Sequence, residues 1–346
     1  MKISALKYLL ILVVLLLPAQ SSAALANQAQ SASAPTGQAN APSSALLVLN
    51  KVDNTLAIID PASLKVLARV PTGEGPHEVI TSADGRLAFV ANYGTQQKVG
   101  TSISIIDIAL RKEIKRVDVS PLIRPHGIVE AGGNIYFTAE ANRAVARYNP
   151  KADRIDWIMG TGQTATHLLV ISRDQKRLYT ANIASDTVTV IALDGPPGPK
   201  QITHINVGKQ PEAIDISPDG RELWVGQNGD GQISIIDTET DKIKETIKVG
   251  QVPIRVKFTP DGRRVLVSDP PKGELIVLDA ATRKEIKRIA VGEVPVGVLI
   301  TPDGRRAYIA TMQANRVVEI DLENLTLARK IETGQGPDGM AWAVAG

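Results

Sequence analysis

The stretch SPDGRELWVGQNGDGQISIIDTETDKIKETIKVGQVP, residues 217–253, decides the fold. Before it, Ala213-Ile214-Asp215-Ile216 reads as a first strand following Pro211. Ser217 to Gly220 is a turn, with Pro at the second position of a type I turn and Gly at the fourth. Leu223-Trp224-Val225-Gly226 is a second strand, Asn228 to Gly231 turns the chain again, and Ile233 to Asp237 is a third. Lys242 to Val249 alternates Ile with Lys or Glu, as a solvated edge strand does. The turn returns as Thr259-Pro260-Asp261-Gly262 and Thr301-Pro302-Asp303-Gly304, with a degenerate copy at Asp84. Asp219, Asp261 and Asp303 are spaced by 42 residues. A period of about 40 residues with four short strands per unit predicts a β-propeller.

First strands are predicted after Pro76, Pro125, Thr166, Pro211, Pro253, Pro295 and Pro337. Third strands include Leu56 to Asp60, Ile103 to Asp107 and Val317 to Asp321. Both series number seven. The ends do not coincide with blade ends. Leu46 to Val70 holds a second, third and fourth strand, whereas Gly339 to Val344 is a lone first strand. The expected architecture is all-β: seven four-stranded antiparallel blades, the last built from three N-terminal strands and one C-terminal strand. Such closure removes the free edges of the ring.

Residues 217–253, together with Ala88-Phe89-Val90-Ala91-Asn92-Tyr93-Gly94, resemble the YVTN-type repeat of YncE-like periplasmic and surface propellers. The resemblance covers residues 45–346 and implies a seven-bladed platform. It also implies more distant kinship with lactonase-type propellers, with streptogramin lyase (through Pro125-His126-Gly127-Ile128) and with propellers of haem and copper enzymes. One fold hosts many functions, so function has to be sought in the site.

The N-terminus reads as a secretory signal over 1–26, cleaved near Ala24 or Ala26. Lys2 and Lys7 precede the nine-residue apolar run Leu9 to Leu17, and small residues follow. That run is much shorter than the roughly 20 residues a membrane span requires, so no span is expected after cleavage. Residues 27–44, rich in Ala, Ser, Gln and Pro, read as a tether. The expected location is periplasmic, secreted or cell-surface. Cysteine is absent, which excludes disulfides, lipid attachment to cysteine and thiolate metal sites. Net charge is +3, and loss of Lys2 and Lys7 leaves 3 − 2 = +1. With no basic block, nucleic acid is not an expected partner. No residue pattern points to an oligomeric state.

In an antiparallel blade the loops before first strands and the second-to-third hairpins share one face, here called the top. The residue after each first-strand Pro or Thr is in turn His77, His126, His167, Glu212, Ile254, Val296 and Asp338. Three of the chain's four histidines therefore occupy one repeat position in consecutive blades, while His204 falls on an outer strand. Circular closure brings these positions together at the channel mouth, where loops from all blades converge. The next position adds Glu78 and Arg255, with Gly127, Gly297 and Gly339 expected to leave space. Second-strand ends supply Asn92, Tyr93, Glu140, Asn182, Asn228 and Asp269, and the long loop 119–125 supplies Arg124.

Three readings of the histidine arc stay open. The repeat alone copies His to bond a neighbouring blade's backbone. A pocket without metal uses Arg124, Glu212, Asp338, Asn92, Tyr93, Glu140, Asn182 and Asp269 for a ligand. A divalent transition metal (Zn, Cu, Ni or Fe) is held by His77, His126 and His167. The Asp residues of the Pro-Asp-Gly turns and of the Ile-Asp strand ends are explained by turn chemistry, and Asn228 to Gly231 lacks the full ligand run of a calcium loop. No Gly-x-Ser-x-Gly elbow or dinucleotide cradle occurs. Two function classes follow. One is an envelope binding or scaffold protein that holds a small molecule or another envelope protein at its top face. The other is a lactonase- or lyase-type enzyme with His77 or His126 as general acid/base, Arg255 or Arg124 on an oxyanion, and Glu78 or Glu212 orienting the histidine. Metal delivery to a copper or haem enzyme is a further variant. The lack of a catalytic motif favours the binding protein.

Overall fold

The computed structural model describes residues 44–195 and 201–344. The predicted signal and all but the last residue of the tether lie outside the described residues. Among the described residues twenty-eight strands, numbered β1 to β28 in chain order, form seven four-stranded antiparallel sheets. The innermost strands are β4 (Pro76–Thr81), β8 (Pro125–Ala131), β12 (Thr166–Ile171), β16 (Pro211–Ile216), β20 (Arg255–Phe258), β24 (Pro295–Ile300) and β28 (Pro337–Val344). Each touches the next in that order, and β28 returns to β4, so the ring is closed. Blades 1 to 7 follow the same order. Blade 7 is the composite one: β28 pairs with β1 (Ser44–Asn50), from Ser44 opposite Val344 to Asn50 opposite Pro337. Strands β2 (Thr55–Ile59) and β3 (Val66–Pro71) complete it. Beyond short 3-10 turns the described residues contain no helix, and none is long and apolar enough to cross a membrane.

Period-two alternation puts apolar side chains on both faces of every blade, so each blade must bury both against its neighbours. Seven buried clusters result, one per interface. Between blades 7 and 1, Leu47, Leu49, Leu56 and Ile58 meet Val79, Val90 and Ile106. Between blades 4 and 5, Trp224 packs edge-on to Phe258, and between blades 6 and 7 Tyr308 stacks on Trp342. The three tryptophans sit in strands, as the sequence predicts.

The lower turns hold themselves. Ser217, Thr259 and Thr301 each donate a hydroxyl hydrogen bond to the Asp two residues on, at 2.6, 2.6 and 2.5 Å. The same carboxylates accept the backbone N–H of Arg221, Arg263 and Arg305. Gly220, Gly262 and Gly304 take φ of +76°, +71° and +69°, which a Cβ disfavours. One oxygen of each aspartate is thus engaged by its own turn.

One strand begins later than predicted. After Pro253 the inner strand starts at Arg255. The preceding segment is tied elsewhere, since the N–H groups of Gln251 and Val252 donate to the Asp269 carboxylate at 3.0 and 2.9 Å.

Candidate functional site at the channel mouth

The geometry of the mouth begins with a bulge. In blades 1, 2, 3, 4 and 6 the register between first and second strands slips right after the first residue, at Pro76/Glu78, Pro125/Ile128, Thr166/Leu169, Pro211/Ile214 and Pro295/Val298. A bulge re-aims a side chain away from the normal alternation. The residues it carries are His77, His126, His167, Glu212 and Val296. A second ring is marked by a backbone bond, recurrent in every blade but blade 5, from a residue at the end of the second strand to the residue before the first strand. Its donors are Lys51, Tyr93, Glu140, Ile183, Asn228 and Met312. The acceptors Gly336, Gly75, Arg124, Ala165, Gln210 and Val294 all take positive φ.

The three histidines are neighbours. The ring centroids of His77 and His126 are 5.0 Å apart, and those of His126 and His167 are 3.7 Å apart with a 31° tilt. Tyr93 packs against both His77 (4.7 Å) and His126 (5.2 Å, edge-on). The Arg124 guanidinium lies 4.8 Å over the Tyr93 ring. Ring nitrogens, however, are spent differently in each histidine. His77 Nδ1 faces the Gly75 carbonyl at 2.8 Å, and so carries its proton there. His167 sits between two carboxylates: Nδ1 is 2.6 Å from Glu140 Oε2, and Nε2 is 3.4 Å from Glu212 Oε1. His126 is only 4 % exposed, and its Nδ1 is buried without a partner.

Protonation follows from these surroundings. Burial opposes charge on His167, but the hydrogen bonds and charges of Glu140 and Glu212 prevail and push its pKa up to about 9. It is an imidazolium at neutral pH. Burial lowers the pKa of His77, and burial together with the charge of His167 lowers that of His126 well below 6.5. Both are neutral rings, and His126 packs face to face with the His167 cation at 3.7 Å. Burial raises Glu140, but the His167 bond outweighs it and the carboxyl is held below its usual range. The Tyr93 hydroxyl donates to Glu140 Oε1 at 2.7 Å, and burial plus that bond push its pKa up to about 12.

The remaining acids are also neutralised. Arg255 of blade 5 reaches across the channel to Glu78 of blade 1, Nη2 to Oε1 at 2.5 Å. Burial works against the Arg255 charge, and Glu78, Asp338 and Glu212 more than restore it. Lys51 Nζ lies 3.1 Å from Asp338 Oδ2. Asn228 Nδ2 donates to Glu212 Oε2 at 2.5 Å. Below the Glu78–Arg255 pair lies a channel cavity of about 520 Å³, to which all seven inner strands contribute, with Asp215 and Lys257 among its lining.

The structure therefore brings together His77, His126, His167, Glu78, Glu140, Glu212, Arg255, Asp338, Tyr93 and Arg124. It places three other candidates apart. Asn92 is buried among Ser102, Ser104 and the Gly73 N–H. Asn182 is surrounded by Thr166, Thr180, Thr187 and Thr189. Asp269 holds the Gln251–Val252 loop. Asn92 and Asp269 fasten an incoming loop to their blade, whereas Asn182 ties together the strands of its own. The mouth glycines do not open space either. A Cβ on Gly127 would stand 2.6 Å from the His167 carbonyl oxygen; on Gly297, 2.2 Å from that of Asp338; on Gly339, 2.2 Å from that of His77. They let neighbouring inner strands approach each other. Among the described residues no group of three or more His, Asp or Glu side chains has the spacing to hold a metal ion. Two residues of the mouth escape sequence reasoning: Lys51, and Met312 on the far side. Aligning the residue after each second strand would have found both.

Taken together, these features define a seven-bladed β-propeller whose top mouth is a polar, aromatic, internally paired cluster. The chain belongs to the YNCE-like beta-propeller family, whose model matches residues 1–196 and 126–306. No curated protein matches it in sequence. Among solved structures it is similar to Kuenenia stuttgartiensis hydrazine synthase, with 18 % identity, a TM-score of 0.67, and coverage of 80 % of this chain and 92 % of that one. It is also similar to a candidate 6-phosphogluconolactonase of Bacteroides fragilis (15 % identity, TM-score 0.71, 87 % and 98 % coverage). A second such candidate, from Bacteroides uniformis, gives 14 % identity, TM-score 0.71, and 87 % and 99 % coverage. At these identities the likeness is one of fold.

Proposed function

We propose that this protein is an exported binding protein whose recognition surface is the channel mouth on the top face. The observation that carries this reading is the pairing of every mouth carboxylate: Glu78 with Arg255, Asp338 with Lys51, and Glu140 and Glu212 with His167. A general base works best with a pKa near the operating pH. His126 is held far below that, and Arg255, the candidate oxyanion donor, is committed to Glu78. With the Arg124 charge acting on Glu140, four carboxylates meet four cations, and a cluster neutralised from within in this way favours holding a ligand over activating water. The N-terminal segment supports a periplasmic or cell-surface location, where the partner is a small molecule or another envelope protein.

A thermal-shift screen of small acids, sugars and peptides tests this, run on the wild type and on a Tyr93→Ala/Arg124→Ala variant. A ligand at about 100 times its Kd stabilises the folded state by about 2.7 kcal/mol. Ligands that shift the wild type and not the variant support the mouth. Turnover of lactones or esters that disappears in His77→Ala and Arg255→Ala would instead establish the enzyme.

A further inference from the structure

Repeat-equivalent positions give seven blades the same backbone at the mouth, so the side chains that differ between blades carry its chemical character. On one side the contacts are polar and aromatic: His77, Tyr93 and His126 touch in series, with Arg124 over Tyr93. On the other side, Ile254, Val294 and Met312 of blades 5 and 6 pack against the buried cluster between blades 6 and 7, to which Val296 belongs. Ile254, Val294 and Met312 are only half-buried. Val294 also takes φ +53°, a conformation costly for a β-branched residue, at a position where other blades use Gly, Ala, Gln or Arg. Between the two halves runs the Glu78–Arg255 pair, closed on itself.

Charge discriminates further. Lys51, Arg255 and His167 each have a carboxylate within 4.0 Å. Among the described residues Arg124 has no carboxylate within 4.0 Å, although its charge helps hold Glu140 ionised; its guanidinium lies over the Tyr93 face and makes a long contact, 3.4 Å, to the Thr95 carbonyl. A guanidinium of this kind suits an acidic head group.

We infer that the mouth takes a small amphipathic anion, with its acidic head on Arg124 beside Tyr93 and its apolar body across the ion pair against Ile254, Val294 and Met312. This rests on the reading of the mouth as a recognition surface and gives that surface its ligand class.

Anilinonaphthalene sulfonate and N-phenylnaphthylamine share one aromatic body and differ in the acidic head, so they form a matched pair of fluorescent probes. The sulfonate binds saturably to the wild-type protein, and Arg124→Gln weakens it about tenfold or more, as loss of a charge-assisted contact does. Met312→Gln weakens both probes by about fivefold through lost apolar burial. Val294→Asn does the same, at a positive φ that Asn tolerates. Melting curves of each variant confirm the folded state. Equal binding of the two probes, or indifference of the sulfonate to Arg124→Gln, overturns the acidic head. Indifference to Met312→Gln and Val294→Asn overturns the apolar body. In both cases loss with the other variant leaves the mouth as the binding surface. Absence of saturable sulfonate binding overturns the ligand class, and binding that no mouth variant changes takes the mouth reading with it.

Discussion

Replacing His167 with Gln removes a cation that joins three blades. Its two nitrogens face Glu140 of blade 2 and Glu212 of blade 4, while the ring itself belongs to blade 3. A rise in pKa from 6.5 to about 9 means that the folded protein favours the charged ring by about 3 kcal/mol relative to the unfolded chain. The side chain is 13 % exposed, so solvent screening takes little of that. The sign follows from the raised value. The contribution is complete below the unfolded pKa of 6.5 and is lost as pH rises through about 9. Urea unfolding of the wild type and His167→Gln at about pH 6 and about pH 10 measures it. The gap between the two proteins shrinks by about 3 kcal/mol across that window, because Gln cannot titrate. A gap that stays constant with pH refutes the imidazolium between the two carboxylates, even if the variant is less stable throughout.

Other perturbations probe different links. His77 and His126 have lowered pKa values, so below about pH 6.5 the unfolded chain takes protons the folded one refuses, and stability falls. His126→Phe flattens that acid limb, which urea midpoints over the same pH range would reveal. Gly297→Ala forces a methyl to 2.2 Å from the Asp338 carbonyl oxygen and costs about 1–3 kcal/mol, whereas Gly160→Ala, with open space around it, is near neutral; melting temperatures separate the two. Removing residues 337–346 takes away β28, the inner strand of the composite blade, and abolishes cooperative melting; an unchanged melting temperature would contradict the closure.

Much of the wheel can be read directly from residue order. The 42-residue spacing of Asp219, Asp261 and Asp303 reports the turn, and the turn reports the blade, because Ser/Thr, Asp and Gly are demanded locally. The mismatch of the chain ends likewise foretells the pairing of β1 with β28. The histidine arc is legible for the same reason: identical register carries His77, His126 and His167 to identical places. What long side chains do after leaving their strands is not legible. Arg255 crosses from blade 5 to blade 1, and Glu140 leaves its own blade to bond His167; no spacing encodes either reach. Polar residues at second-strand ends read alike, yet Asn92 and Asp269 turn inward to loops and Asn182 to its own blade's strands, whereas Tyr93 and Glu140 turn to the mouth. Gly127, Gly297 and Gly339 look like room for a ligand but mark the close approach of adjacent inner strands.

A mouth neutralised from within requires one charged and two neutral imidazoles, and nitrogen NMR of the histidine rings over a pH titration reads their protonation directly. At about pH 7.5 the expected spectrum has His167 protonated on both nitrogens and titrating near 9, with His77 and His126 neutral, and His126 still neutral at about pH 6.5. A neutral His167 at that pH, or a His126 that gains its proton before His167 does, would contradict it.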